Sequence, residues 1–509
     1  MKSQFFQLFW SAILAGKARA DLPFYTNATA YNSGAYGNFP NQTFHSSDIV
    51  APRFLVNKFE PDAIDKAPYL FFEWLYDGVG SPMIFRSDDL SLVYADPSYP
   101  GSGDVQIQTV FGEDYLTFWG GEEGFGQGNG HCYIFDQNYD LVHVIMPIGV
   151  APGRFADLHE CLLTSEGNVL VIVYESAVFD LTSVGGPVDG LCWDQLFQEI
   201  DPKTGQLLFS WRASEHYAIS DTNRVYPDDH GDDYLISARS LDSIILINGT
   251  DGGTLWTLGG KNNDFTDTSG GRALGFAEQH HARIRGQNRM TLFDNHNRKN
   301  GVGCVTGCSR GLELKLDLDA MTAKFVREYY HPTGLVAAGK GGYVPLENGN
   351  ALIAWGSQPS ITEHKGDQVV MEIQVGRLSD ELLFETNWPY RAFRMDWAGK
   401  PAWGPSIAVD SSAVYLSWNG ATELDSWAVL ASEKPQDILL QWETLAESKR
   451  EGFETTIPLE GPKPHYIRGL ALGNNGKVLG CTPVVDLQTG SYISTDDNIL
   501  CSNSLKESI

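Results

Sequence analysis

The stretch "GNVLVIVYE", residues 167–175, reads as a polar turn, a short run of strand-forming residues and a polar exit. The same plan recurs in "EDYLTFWGG" from Glu113, "DDYLISARS" from Asp232, "QNRMTLFDN" from Gln287, "GNALIAWGS" from Gly349 and "SAVYLSWNG" from Ser412. Successive starts lie 54, 65, 55, 62 and 63 residues apart. A second series interleaves with the first: "IFDQNYDLVHVI" from Ile134, "EIDPKTGQLLFSW" from Glu199, "LINGTDGGTLWTL" from Leu246, "LDLDAMTAKFVREY" from Leu316 and "ITEHKGDQVVMEI" from Ile361. Each member is a strand, an Asp/Gly/Thr turn and another strand, which is a β-hairpin pattern. Two hairpins per repeat make a four-stranded sheet, and six such sheets predict an all-β, six-bladed β-propeller. A pair of large β-sandwiches is the alternative. Residues 21 to about 100 and 440–509 carry the period weakly and are expected to supply closing strands and decorations. On this reading residues 21–509 form a single domain.

The beginning, "MKSQFFQLFWSAILAGKARA", has a basic Lys2, a short apolar stretch from Phe5 to Gly16 and an Ala18-Arg19-Ala20 site, the pattern of a secretory signal peptide over residues 1–20. No apolar run is long enough to span a bilayer as a helix. Loss of Lys2, Lys17 and Arg19 takes the formal charge from -28 to -31. So acidic a chain repels nucleic acid and anionic membranes, and neither is an expected partner.

Secretion predicts oxidised cysteines. Of the seven, Cys304 and Cys308 flank a loop and could pair locally, and Cys481 and Cys501 could staple the C-terminal region. Among Cys132, Cys161 and Cys192 one must stay unpaired if the other two join. No second Cys or His pair accompanies the close cysteines, so a zinc site is not expected. Sequons at Asn27, Asn41 and Asn248 suit a glycosylated secreted protein.

The segment "FAEQHHARIRGQNRMTLFDNHNR", residues 276–298, gathers three of the twelve histidines together with a cluster of arginines and amides. It belongs to a longer series of ordered blocks: "DLHECLLTSEGNVL", "GGPVDGLCWDQLFQEIDPKTGQLLFSWRASEH", "YLISARSLDSI", "LWTLGG", "QHHAR", "LFDNHN", "SRGLELKLDLDAMTAKFVREYYHP", "PLENGNALIAWGSQPSITEH" and "YRAFRMDWAGKP". Together these resemble the fungal branch of the arylsulfotransferase-like β-propeller proteins, over about residues 130–405. The resemblance implies six blades, an active site where loops converge at the axial funnel, and transfer of sulfate from an aryl sulfate to a phenol by a nucleophilic histidine. Neutral imidazole suits that task, and cationic donors stabilise charge on the sulfuryl oxygens. No cofactor and no metal are implied.

Matched to the family's blocks, "QHHAR" puts His280 and Arg283 at the funnel mouth as catalytic candidates. "LFDNHN" puts Asp294, Asn295 and Asn297 one strand later. His281 and His296 read as solvated loop residues. In the "DLHE" block, His159 and Glu160 read either as a base pair or as a loop lock. Tyr390, Arg391 and Arg394 of "YRAFR" could line the funnel, with Trp397 and Trp403 as an aromatic wall; Trp355, on a strand, reads as packing.

One position departs from the family. Its His-x-Asn-x-Val block appears here as "DTNRV", residues 221–225, so Asp221 stands where histidine is expected while Asn223 remains. At ~4 Å and an effective dielectric near 20, one like-charge repulsion against a sulfate ester is about 4 kcal/mol. That favours a secreted tailoring enzyme of fungal secondary metabolism, acting on an aromatic or polyketide-type small molecule. By analogy with the fungal relatives its chemistry is expected to be cyclase or hetero-Diels–Alderase chemistry, with His280, Asp221 and Arg283 as catalytic residues. Asn223, His159, Asn295, Tyr390, Arg391 and Trp397 would bind substrate. Aryl sulfotransfer through His280 and a non-catalytic binding propeller are the alternatives.

Overall fold

Strands whose two faces are both buried read as continuous apolar runs; strands with one wet face alternate. Val169–Phe179 shows both regimes in turn: Val169 to Tyr174 are all buried, and the outer residues alternate. The computed structural model describes residues 21–493 apart from 77–78, 100, 125–126, 185, 219–226, 231–232, 297–300, 381–388, 435–442, 460 and 462–463. Its described residues are all-β, with one short α-helix among them, Ala28–Asn32, capped by the Asn27 side chain.

Contacts sort the chain into two compact units, where the sequence reading treats 21–509 as one domain. Among the described residues the larger holds 23–404 and 418–423; the smaller holds 405–417 and 424–493 together with 21–22. Among its described residues the larger unit has six sheets of four or five strands. Sheet I contains Tyr69–Tyr76, Val79–Arg86 and Leu92–Ala95, joined by the distant strand Phe393–Met395. Sheet II is Gly103–Val110, Glu113–Gly124, Gln127–Phe135 and Leu141–Ile145. Sheet III is Cys161–Leu163, Val169–Phe179, Gly190–Asp201 and Gln206–Arg212. Sheet IV is Pro227–His230, Asp233–Ala238, Ser243–Asn248 and Thr254–Gly259. Sheet V is His280–Arg285, Arg289–Asp294, Arg310–Asp317 and Thr322–Tyr330, with Thr266–Asp267 added in parallel. Sheet VI is Gly342–Pro345, Ala351–Ala354, Ser360–Lys365 and Gln368–Gln374, completed by Leu55–Phe59.

Five of the six expected repeats are strands of sheets II to VI. The sixth, from Ser412, is not: Ala413–Ser417 pairs with Ser406–Val409 and Glu454–Pro458 in a three-stranded sheet of the smaller unit. The sheet that the sequence period misses is sheet I. Its strand Tyr69–Tyr76, "YLFFEWLY", is buried over the residues from Tyr69 to Trp74, so there is no alternation to count. The smaller unit otherwise consists of a sheet built on Ser426–Ser432 and Tyr466–Leu472.

Each large sheet packs on the next. Phe71 and Ile84 of sheet I meet Val105 and Phe118 of sheet II. Trp119 and Ile134 of sheet II meet Val171 and Ile200 of sheet III. Ile172 and Phe197 meet Ile236 and Ile245 of sheet IV, and Leu235 and Ile244 meet Leu292 and Leu312 of sheet V. Phe293 and Tyr329 meet Tyr343 and Ile353 of sheet VI. Sheets VI and I are linked by an ion pair, Arg394 Nε to Glu363 Oε2 at 2.8 Å, with both side chains fully buried. Arg394 is therefore a structural cation and does not reach the functional cavity described below. Trp355 is wholly buried and donates to Thr362 Oγ1, as packing predicts.

Cys132 pairs with Cys161 and Cys304 with Cys308, leaving Cys192 as a free thiol. Cys481 is also disulfide-bonded; its expected partner Cys501 lies outside the described residues, as do residues 1–20. Asn27 is exposed, whereas Asn41 and Asn248 are half-buried. No described helix is long and apolar enough to cross a membrane.

Glu363 Oε1 also accepts from Asp65 N at 2.6 Å and Asn350 Nδ2 at 2.7 Å, so the carboxylate is fully committed. Glu363→Ala leaves Arg394 buried and uncompensated, and urea unfolding is expected to show a loss of about 3–5 kcal/mol. A loss under about 1 kcal/mol would mean that this pair does not hold sheets I and VI together.

Candidate active site

Glycine sets the position of the first element of the candidate site. A Cβ on Gly128 would lie 2.5 Å from Trp119 Cζ2 and 2.7 Å from Leu158 N, so only glycine lets the segment 156–160 lie this close to sheet II. Gly130 and Ala156 exchange two backbone hydrogen bonds of 2.8 Å, and the Cys132–Cys161 disulfide fastens the same strand to the end of the segment. The segment carries Asp157, His159 and Glu160. Asp157 is fully buried; Oδ2 accepts from Gly128 N at 2.6 Å, and Oδ1 accepts from His159 N at 3.0 Å and pairs with His159 Nδ1. A carboxylate on Nδ1 fixes the tautomer with the proton there and the lone pair on Nε2.

His159 lines a small cavity, about 20 Å³, together with Glu160, His280, His281, Arg283 and Arg391. Ser237, Gln279 and Tyr390 complete the polar wall. The charges are tightly bound to one another. Arg391 Nη1 donates to Asp104 Oδ1 at 2.9 Å and to Glu160 Oε1 at 3.3 Å; Nη2 donates to Glu160 Oε2 at 3.3 Å and to His159 O at 3.0 Å. Arg283 Nη2 donates to Glu160 Oε1 at 2.9 Å. Burial pushes the Glu160 carboxyl up, but Arg283 and Arg391 outweigh it and hold the group below its usual value. Burial wins at Asp104, whose pKa is raised despite Arg391, and more strongly at Glu73, whose carboxylate accepts from Tyr390 N.

The two adjacent histidines have different fates. His280 Nδ1 lies 2.7 Å from Asn295 Oδ1, and His280 Nε2 accepts from Lys340 N at 3.2 Å. Asn295 Nδ2 donates to Ala337 O at 2.9 Å and to Lys340 O at 3.0 Å. His280 and Asn295 thus clamp the "AAGKGG" loop, residues 337–342, with both imidazole nitrogens engaged. His281 is buried, not solvated, and its ring makes no hydrogen bond among the described residues; Nδ1 is sealed without a partner. Burial, followed for His280 by Arg239 and His159 and for His281 by Arg391, Arg283 and Arg285, depresses both imidazoles well below the ordinary value, so both are neutral at pH 7. Arg391 Nε and Gln279 Oε1 are likewise buried and unsatisfied. Three polar atoms around one cavity thus have no partner among the described residues and are left to water or a ligand, since each costs about 1–3 kcal/mol when left unpaired.

The structure places His280, Arg283, His159, Tyr390 and Arg391 around one cavity. Asn295 sits behind His280 and outside the cavity wall. Trp397 is core: it packs edge-on to Tyr139 and donates to its hydroxyl at 2.9 Å. Trp403 is 41% exposed and donates to Asn419 O, so neither tryptophan forms the expected aromatic wall, and among the described residues Tyr390 lines the cavity. His296 is exposed, as expected, and Asp294 is bound by Arg310. Asp221, Asn223 and Asn297 lie outside the described residues. Sequence reasoning missed Asp157 and Asp104. The Asp-x-His spacing of "DLH" was the available signal for the first; Asp104 has no local signature. Among the described residues, no group of three or more His, Cys, Asp and Glu side chains is placed to hold a metal ion.

The sequence model of one family, arylsulfotransferase (ASST), matches this chain over residues 106–229 and 217–376, which together span more than half of its 509 residues. No curated protein matches it significantly. Among solved structures, a protein of unknown function from Bacteroides caccae is 13% identical, with 64% of this chain and 98% of that one covered, at a TM-score of 0.38. BamB from Moraxella catarrhalis is 9% identical, with 71% and 97% covered, at 0.26. A protein of unknown function from Dyadobacter fermentans is 13% identical, with 63% and 97% covered, at 0.33. At these scores the structural likenesses carry no argument.

The neutral histidines make stability depend on acid. Above the unfolded-state pKa near 6.5 both states leave His280 and His281 unprotonated and nothing is lost. Below it the unfolded chain takes up protons that the folded chain refuses, so stability falls by about 1.4 kcal/mol per pH unit for each group. Urea unfolding between pH 7 and pH 5 is expected to show this decline, and His281→Asn should lower its slope by about one proton. An unchanged slope in the variant would show that His281 is protonated in the native state.

Proposed function

We infer that this chain, which belongs to the arylsulfotransferase family, transfers a sulfuryl group from an aryl sulfate to a hydroxyl acceptor, with His159 as the nucleophile. The observation that carries the reading is the Asp157–His159 pair at a cavity whose other wall holds Arg283, Arg391 and an unmatched Arg391 N–H. In the first half-reaction Nε2 attacks sulfur, an S–N bond forms, the S–O bond to the donor breaks, and the aryl oxygen leaves with its electron pair. Asp157 balances the charge that develops on the imidazole. The guanidinium N–H groups face the sulfuryl oxygens, where preorganised donors count most because they need not reorient. In the second half-reaction an acceptor oxygen attacks sulfur, the S–N bond breaks and neutral His159 returns. At about 20 Å³ the cavity has room for little more than one water-sized group, so on this reading an oxygen of the sulfuryl group enters it and the rest of the donor lies outside.

His280 fits the nucleophile's role less well, because Asn295 and the Lys340 amide occupy both of its nitrogens. It is better read as the clamp of the 337–342 loop. A cyclase reading draws on Asp221 and on a tryptophan wall; Asp221 is outside the described residues and Trp397 belongs to the core, so nothing in the described site favours it. We read the six successive sheets as the blades of a six-bladed propeller. The support is that each packs on its neighbour, and that sheets I and VI share a buried ion pair and are each completed by a strand distant in sequence. Secretion fits the disulfides.

The test uses 4-nitrophenyl sulfate as donor and phenol as acceptor. The wild type is expected to release 4-nitrophenol in an initial burst followed by steady turnover. His159→Asn should abolish both, a loss on the order of 10³-fold or more. His280→Asn should retain the burst with reduced turnover. A folded His159→Asn protein that turns over at the wild-type rate would sink the assignment.

A further inference from the structure

The second half-reaction needs a base, because a neutral hydroxyl cannot attack sulfur well while it keeps its proton. His280 is clamped, and His159 carries the sulfuryl group at that moment. His281 remains. Its position follows from a β-bulge: His280 pairs with Phe293 and Arg283 with Thr291, so two residues, His281 and Ala282, oppose one. His281 takes up the extra length with φ at +51°, a left-handed conformation that strains a non-glycine residue. Bulges of this kind re-aim a side chain, and here His280, His281, Ala282 and Arg283 all reach the same cavity. The ring stands edge-on to Phe393 at 6.0 Å and rests over Gly342, where a Cβ would come within 3.0 Å of Nδ1. A strained backbone thus holds a buried imidazole with no hydrogen bond from any described residue at the wall of the cavity.

Resting on the transfer reading above, we propose that His281 is a second catalytic residue, the general base that takes the proton from the acceptor hydroxyl. The acceptor O–H bond breaks towards a ring nitrogen of His281 as the acceptor oxygen forms its bond to sulfur. The S–N bond to His159 breaks and its electron pair returns to Nε2. The His281 imidazolium, close to Arg283, Arg285 and Arg391, then passes its proton to solvent. Over a full cycle the acceptor's proton is released and the donor phenolate takes one up, so charge and atoms balance. Burial favours the neutral ring between turnovers.

The two halves can be separated with 4-nitrophenyl sulfate and a series of phenol acceptors. In His281→Asn the burst, one 4-nitrophenol per protein, is expected to persist, while turnover with phenol falls by about 10²–10⁴-fold. The defect should shrink with acceptors acidic enough to be ionised at the assay pH, since these arrive without the proton; a purely structural role would depress all acceptors alike. Gly342→Ala, which presses on the ring without removing it, should keep the burst and lose part of the turnover with phenol. Loss of the burst in a folded His281→Asn protein would show that His281 itself receives the sulfuryl group and overturn the proposal. Unchanged turnover, or an equal loss for every acceptor, would also overturn it. If the wild type gives no burst and no turnover while it is folded, the transfer reading itself fails, and this assignment falls with it.

Discussion

One buried carboxylate, Glu160, organises the site. It accepts from Arg283 at 2.9 Å and twice from Arg391 at 3.3 Å, and Arg391 is shared with Asp104. Arg283 comes from sheet V, Arg391 from the approach to the sheet I strand Phe393–Met395, Asp104 from sheet II and Glu160 from the entrance to sheet III. Four parts of the larger unit therefore meet at one cluster of charge. Desolvating each ion costs several kcal/mol, and the cluster is tolerable only because two guanidiniums and two carboxylates nearly saturate one another. Geometry follows from that. The Arg391 guanidinium that grips Glu160 also holds the His159 carbonyl, so the position of the proposed nucleophile is tied to the ion network. Chemistry follows as well, because the arginines add to the burial that keeps the neighbouring imidazoles neutral.

Much of this was legible in the sequence, and the failures have physical causes. Five repeats became sheets II to VI because their turns and exits sit at regular intervals. Sheet I escaped because "YLFFEWLY" is apolar on both faces, and because one of its strands, Phe393–Met395, comes from more than 300 residues further on. The His and Arg blocks pointed to the cavity through their resemblance to the arylsulfotransferase-like family. The pattern did not say which nitrogen is committed. The difference between His280 and His281 lies in a bulge and in a loop about 60 residues away, which no local reading can supply. Trp397 was misplaced for a related reason: an aromatic residue near a site block packs equally well behind it. Asp104 could not be found at all, since its role depends on Arg391, 287 residues later.

The contrast among the three cavity histidines is the strongest argument for a division of labour. His159 is oriented by a carboxylate that is fixed by the backbone of Gly128, so its Nε2 lone pair has a defined direction. His280 has both nitrogens satisfied and holds a loop. His281 has neither nitrogen bound by a described residue, and the chain accepts a left-handed backbone to place it there. In a site built only to be stable, the third arrangement would be the first to disappear, because a straight strand would relieve the backbone and return the imidazole to water. Its cost becomes intelligible if a ligand supplies the missing hydrogen bond. The same logic covers Arg391 Nε and Gln279 Oε1, which offer one donor and one acceptor. Together with His281 they match an anionic sulfuryl group beside a hydroxyl, whereas a sulfate ion alone would leave the amide oxygen facing another acceptor. The unsatisfied atoms thus offer both a donor and acceptors, so a ligand that meets them all must itself carry both kinds of group.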